Sequence, residues 1–104
     1  MERLLGMYAL VATWKLDPER AAAHQADLEA HIVPLVRHQP GFVSGTWSCD
    51  VASARTVSHV LFATEQTARG FGEYLRAPGA RRTAGAELES VLVAEVVAAT
   101  GAAS

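Results

Sequence analysis

The stretch "GFVSGTWSCDVASARTVSHVLFA", residues 41–63, decides how this chain folds. A Pro-Gly pair at 40–41 opens it. Ser44, Thr46 and Ser48 then alternate with Val43, Gly45, Trp47 and Cys49. Strict alternation over several residues is the mark of a strand that separates two different surroundings. The run "DVASAR" is rich in small and polar residues and reads as a turn. Residues 56–63 alternate again but are mostly apolar. The segment is therefore a hairpin: strand two over 42–49 and strand three over 56–63. Centring the turn between residues 52 and 53 pairs Trp47 with Ser58, Thr46 with His59 and Val43 with Phe62. Directly paired residues share a face, so Trp47 and Phe62 face one way and the hydroxyl row faces the other. A slip of one residue would reverse the assignment.

Working outward, residues 4–16 are apolar on both parities. Tyr8, Leu10 and Trp14 stand on one, and Met7, Ala9 and Val11 on the other. Such a strand is covered on both faces. "LDPER" starts helix one, with Asp17 as N-cap and Pro18 in the first helical position. The helix should run to about residue 37, with Leu28, Ile32, Leu35 and Val36 in its apolar stripe and a kink at Pro34. After strand three, "TEQTARGFGEYLR" is helix two, capped by Thr64 and loosened by Gly70 and Gly72. "APGARRTAG" reads as a loop. Strand four, residues 88–99, is again apolar on both parities.

The order βαββαβ is the ferredoxin-like signature: a four-stranded antiparallel sheet with two helices on one face. Residues 1–104 read as one such domain, an α+β fold, with no linker or repeat. Two helices cover one face of a sheet, yet strands one and four are apolar on both. A second copy of the chain is the simplest cover for the open face.

Composition narrows the function. Half of the 104 residues are apolar and the net charge is −2, which gives no electrostatic reason to expect nucleic acid or an anionic membrane. The first fifteen residues could pass for a signal-peptide core. Glu2 offsets Arg3, however, and no A-x-A site follows, so they are expected to form a strand of a cytoplasmic protein. No apolar run approaches the ~20 residues of a membrane span. The single Cys49 excludes an internal disulfide and reads as a small buried residue.

His24, His31 and His38 recur every seven residues on helix one. Seven residues rise about 10.5 Å, too far for two of them to share one metal ion. They read as histidines on the flank of the apolar stripe, with His31 the candidate acid/base if it borders the pocket. His59 reads as a hydrogen-bonded histidine of the open sheet face. Arg76, Arg81 and Arg82 flank the loop before strand four and could clamp an acidic ligand. There is no phosphate loop, no nucleophile elbow and no metal-ligand spacing, so no cofactor or metal is expected.

The segments "PGFVSGTW", "VLFATEQTARGF" and "LESVLVAEVVA" resemble the dimeric α+β-barrel superfamily, and within it the antibiotic-biosynthesis-monooxygenase-like domains. The resemblance spans residues 6–98. It implies a homodimer whose sheets pack face to face, and a pocket between each sheet and its own helices. It also implies a ligand pocket formed by Tyr8, Leu10, Trp14, Trp47, Phe62 and Tyr74, with His31 as the catalytic candidate. The activity it implies is a cofactor-free monooxygenase acting on a small aromatic or polyketide-like substrate. The other reading is a non-catalytic small-molecule-binding or accessory protein of the same fold. Haem-degrading relatives carry an Asn on strand one, a Trp ending strand three and a His on helix two. This chain has no Asn at all, and Phe62 and Gly72 stand at the other two places.

Overall fold

The computed structural model describes residues 6–77 and 86–100. Strand β1 (Tyr8–Leu16) is followed by helix α1 (residues 18–37) and the hairpin of β2 (Phe42–Asp50) and β3 (Arg55–Phe62). Helix α2 (Glu65–Arg76) then leads to β4 (Ala86–Glu95). The sheet order is β2-β3-β1-β4, and every neighbouring pair is antiparallel. This is the ferredoxin-like arrangement the element order predicts. Residues 4 and 5 of the expected first strand, and Arg81 and Arg82, lie outside the described residues. Strand β4 ends four residues earlier than the apolar pattern suggests, although Val96 still donates its N–H to Met7 O.

The core sits between the sheet and the helices. Leu10, Val60 and Phe62 are almost fully buried, and Leu28, Ile32, Val36 and Phe71 close over them. Among the described residues, no helix is long and apolar enough to cross a membrane.

The hairpin register follows the turn: Trp47 pairs with Ser58 and Thr46 with His59. It departs at the far end, where an irregularity between Phe42 and Ser44 places Phe42, and not Val43, opposite Phe62. The extra residue is a bulge. It turns the large Phe42 side chain toward the core and leaves Val43 at 39% exposure.

Helix α1 bends the sequence rule in another way. Asp17 caps it through Glu19 N–H, and a short 3-10 turn (Pro18–Arg20) leads into Ala21–Asp27. Residues Leu28–Ile32 then form a π turn before the α pattern resumes at Val33–Arg37. Val33 N–H reaches back five residues to Leu28 O. Pro34 has no N–H to give and would crowd the turn before it. Widening that turn absorbs the proline where a kink was expected. The buried residues His24, Leu28, Ile32 and Val36 are spaced by four throughout. In a regular α-helix that spacing drifts by about 120° over twelve residues. The π turn takes back part of the drift and keeps all four toward the sheet.

Helix α2 is firmer than its glycines suggest, running unbroken for 12 residues. Thr64 caps it by accepting from Thr67 N–H. Gly72 is buried against the sheet, and a Cβ there would lie 3.1 Å from Leu10 Cδ1. The glycine is a contact surface. At the other end, Arg76 Nη2 donates to Val91 O (2.7 Å) and ties the helix to β4.

Candidate functional site: an apolar cavity behind Trp47

Strand pairing sets the floor of a cavity between sheet and helices. Leu10 and Trp14 of β1, Ser58 of β3 and Trp47 of β2 project from the helix-facing side of the sheet. Ile32, Leu35 and Val36 of α1 form one wall, and Phe71, Tyr74 and Leu75 of α2 form the other. The empty space is about 410 Å³ with its open mouth included, and the room for the centres of water-sized spheres is about 30 Å³. It is a narrow slot, wide enough for a few waters.

The slot is aromatic, and none of the described residues that line it carries a charge. Trp14 Nε1 donates to Ser58 Oγ (3.3 Å), whose hydroxyl is in turn 3.4 Å from Ala12 O. That chain holds the Trp14 indole and satisfies the hydroxyl on the cavity floor. Gly45 fixes the other indole: a Cβ there would stand 3.1 Å from Trp47 Cη2 and 3.3 Å from Cζ3. Trp47 therefore lies over Gly45, in space that only a glycine leaves open. Tyr74 stacks on Phe71, with ring centroids 5.6 Å apart and planes inclined by 20°. It is 41% exposed and forms the rim.

The structure brings Leu10, Trp14, Trp47 and Tyr74 together around this space. Two other residues expected in the pocket lie elsewhere. Phe62 is fully buried below Phe71 (6.0 Å between centroids) and contributes packing. Tyr8 packs on the edge of the core beside Phe62, its cross-strand partner. Burial, together with the Glu95 and Glu65 carboxylates, raises its hydroxyl pKa above the usual tyrosine value.

His31 does not border the cavity. Its ring is 66% exposed and its Nδ1 lies 2.8 Å from Asp27 Oδ1 on the outer face of α1. The π turn explains the error: it changes the helical phase between residues 24 and 31, so the sevenfold spacing no longer means a shared flank. His24 faces inward at 7% exposure, while His38 is exposed with Nδ1 2.7 Å from Pro34 O. Cys49, expected to be buried, is exposed. Among the described residues, no group of three or more His, Cys, Asp or Glu side chains is placed to hold a metal ion. Phe71, an aromatic the sequence offered for the core or for an aromatic wall, does line the cavity. Sequence reasoning missed Ile32, Leu35 and Leu75 as walls, because a helical stripe does not separate core from cavity lining.

No family model and no curated protein sequence matches the chain. Solved structures do. A Streptomyces coelicolor monooxygenase in complex with nanaomycin D aligns with a TM-score of 0.62 at 18% identity, over 96% of this chain and 95% of its own. A heme-degrading protein of Mycobacterium tuberculosis, solved with two hemes in its active site, aligns with a TM-score of 0.60 at 20% identity, over 91% and 99%. A cofactor-independent oxygenase of Streptomyces nogalater aligns with a TM-score of 0.55 at 15% identity, over 90% and 96%. Over nearly its whole length, then, the chain shares the ferredoxin-like fold of these oxygenase and heme-degrading structures.

Proposed function

We propose that the protein is a cofactor-free monooxygenase whose substrate is a small phenolic or polyketide-like aromatic molecule held in the cavity behind Trp47. The observation that carries this reading is the make-up of the wall: two indoles and a stacked Phe71–Tyr74 pair, with no charged side chain among the described residues. Planar rings stack on such surfaces. A dry apolar slot also suits a reaction in which the substrate itself reduces oxygen. An activated methylene beside a phenol becomes a carbonyl; one oxygen atom enters the product and the other leaves as water with the two methylene hydrogens. The substrate supplies all four electrons. The cavity is narrow, so the rim side chains Tyr74 and Leu35 must yield to admit a ring system. The two oxygenase neighbours support this chemistry. Haem degradation has less support, since Phe62 is sealed in the core and Gly72 packs tightly under Leu10. The homodimer belongs to the same proposal: two copies pack their open sheet faces together.

One observation favours a second reading, a binding or accessory protein without chemistry. With His31 outside the cavity, Tyr74 is the one titratable side chain on its wall among the described residues. The two readings separate in one experiment with 1,8-dihydroxyanthrone as probe. Binding is read by quenching of Trp47 fluorescence in a Trp14→Phe background, and chemistry by oxygen uptake. Quenching with oxygen uptake that falls in Tyr74→Phe supports the oxygenase. Quenching without uptake supports the binding protein. No quenching overturns both.

A further inference from the structure

Trp47 has a second side. Beyond it, under the first turns of α1, lies a separate compartment walled by Leu16, Leu28 and Trp47 and by the polar side chains of His24, Cys49 and Thr56. Its room for the centres of water-sized spheres is about 120 Å³, against about 30 Å³ in the apolar cavity. A cavity of about 150 Å³ by such a measure holds a benzene molecule, so this compartment is the size of a single six-membered ring. Among the described residues no Asp, Glu, Lys or Arg lines it, which suits a neutral ligand. Exposed Gln25, Ser48 and Cys49 form its mouth.

Thr56 supplies the chemical signal. It is 4% exposed and its Oγ1 has no hydrogen-bond partner among the described residues. Two residues along the same strand, Ser58 is equally buried but its hydroxyl is engaged by Trp14 and Ala12. A buried hydroxyl without a partner is costly, and a valine would fill the same volume without that cost. A ligand oxygen in the compartment would give Thr56 the partner it lacks. Turning χ1 from one staggered well to another exchanges the hydroxyl with the methyl and offers it to the ligand.

We propose that this compartment is a second binding site, for a single-ring phenol. The ring lies between Leu28, Leu16 and Trp47, and the phenolic oxygen bonds to Thr56 Oγ1 beside His24. The site does not depend on the reading of the apolar cavity, which Trp47 divides from it.

The test uses phenol, with toluene as the match lacking a hydroxyl, followed by methyl and ring NMR of the full chain. Phenol should shift the Thr56 methyl, the Leu16 and Leu28 methyls and the His24 ring signals saturably. Thr56→Val keeps the shape of the side chain and should weaken phenol binding about tenfold, the worth of one hydrogen bond, and leave toluene unchanged. Ala21 also lines the compartment; Ala21→Phe, which fills it, should abolish the phenol shifts at Thr56 and leave the Leu35 and Leu75 methyls as they were. Phenol that shifts only Leu35, Leu75 and Tyr74, or that binds Thr56→Val as tightly as the native chain, overturns the proposal. Failure of dihydroxyanthrone to quench Trp47 would not bear on it.

Discussion

Glycines and the groups above them decide the site at the scale of single residues. Gly45 lies under the Trp47 indole, so Gly45→Val should push the ring off its seat. Trp47→Ala removes the ring altogether and should weaken an aromatic ligand by about 1–3 kcal/mol, read by titration in a Trp14→Phe background; an unchanged affinity would place the ligand elsewhere. Gly41 has φ of +78°, and a Cβ there would stand 2.6 Å from Thr67 Oγ1. Gly41→Ala should therefore cost about 1–3 kcal/mol in urea unfolding, since it meets both a left-handed backbone and a side chain. Tyr8 gives a pH handle. Its folded pKa is raised, so the folded state holds the proton more tightly than the unfolded chain does. Stability is complete below the unfolded value of about 10 and falls as pH rises from there through the folded pKa. Tyr8→Phe should flatten that part of the profile. Residue types announced little of this. Cys49 and His24 were misplaced because burial at a strand edge or on a helix flank depends on neighbours from other elements.

The elements were more legible than their irregularities. Alternation placed both hairpin strands, and the turn fixed the Trp47–Ser58 pairing, because a sheet with one covered face tolerates no slip. The bulge at Val43 and the π turn at Leu28–Ile32 left no trace in the periodicity. Each inserts a residue where a large side chain or a proline must be accommodated, and only the packed structure shows which side gives way. The π turn makes its own prediction. A proline in the interior of a regular helix costs about 3 kcal/mol. Here the widened turn already receives Pro34, so Pro34→Ala should gain less than about 1 kcal/mol in denaturant unfolding. A gain near 3 kcal/mol would mean that the turn is strained rather than adapted.

At the scale of the whole molecule, the sheet face away from the helices is the outstanding feature. Rows of cross-strand neighbours run over it: Leu92, Val11, His59 and Thr46 in one, Ala94, Ala9, Leu61 and Ser44 in the next. Leu92 is 61% exposed and Val57 37%. No element of the described chain covers them. The two-sided apolar pattern of β1 and β4 was visible in the sequence, and the structure sorts its residues by face. Val93 pairs with Leu10 on the helix side, so Val93→Glu would strike the core and report on folding. Leu92 is the residue that reports on assembly. In the proposed homodimer Leu92→Glu buries an unpaired charge near the two-fold axis or its rim, and breaking the contact should weaken association by about 3 kcal/mol, roughly a hundredfold. The monomer already exposes this position, so its circular dichroism should stay native. Light scattering behind size exclusion separates the outcomes. A native dimer that becomes a folded monomer in Leu92→Glu supports the face-to-face assembly. A native chain that is monomeric at micromolar concentration, or a variant that stays dimeric, shows that the open face meets something other than a second copy.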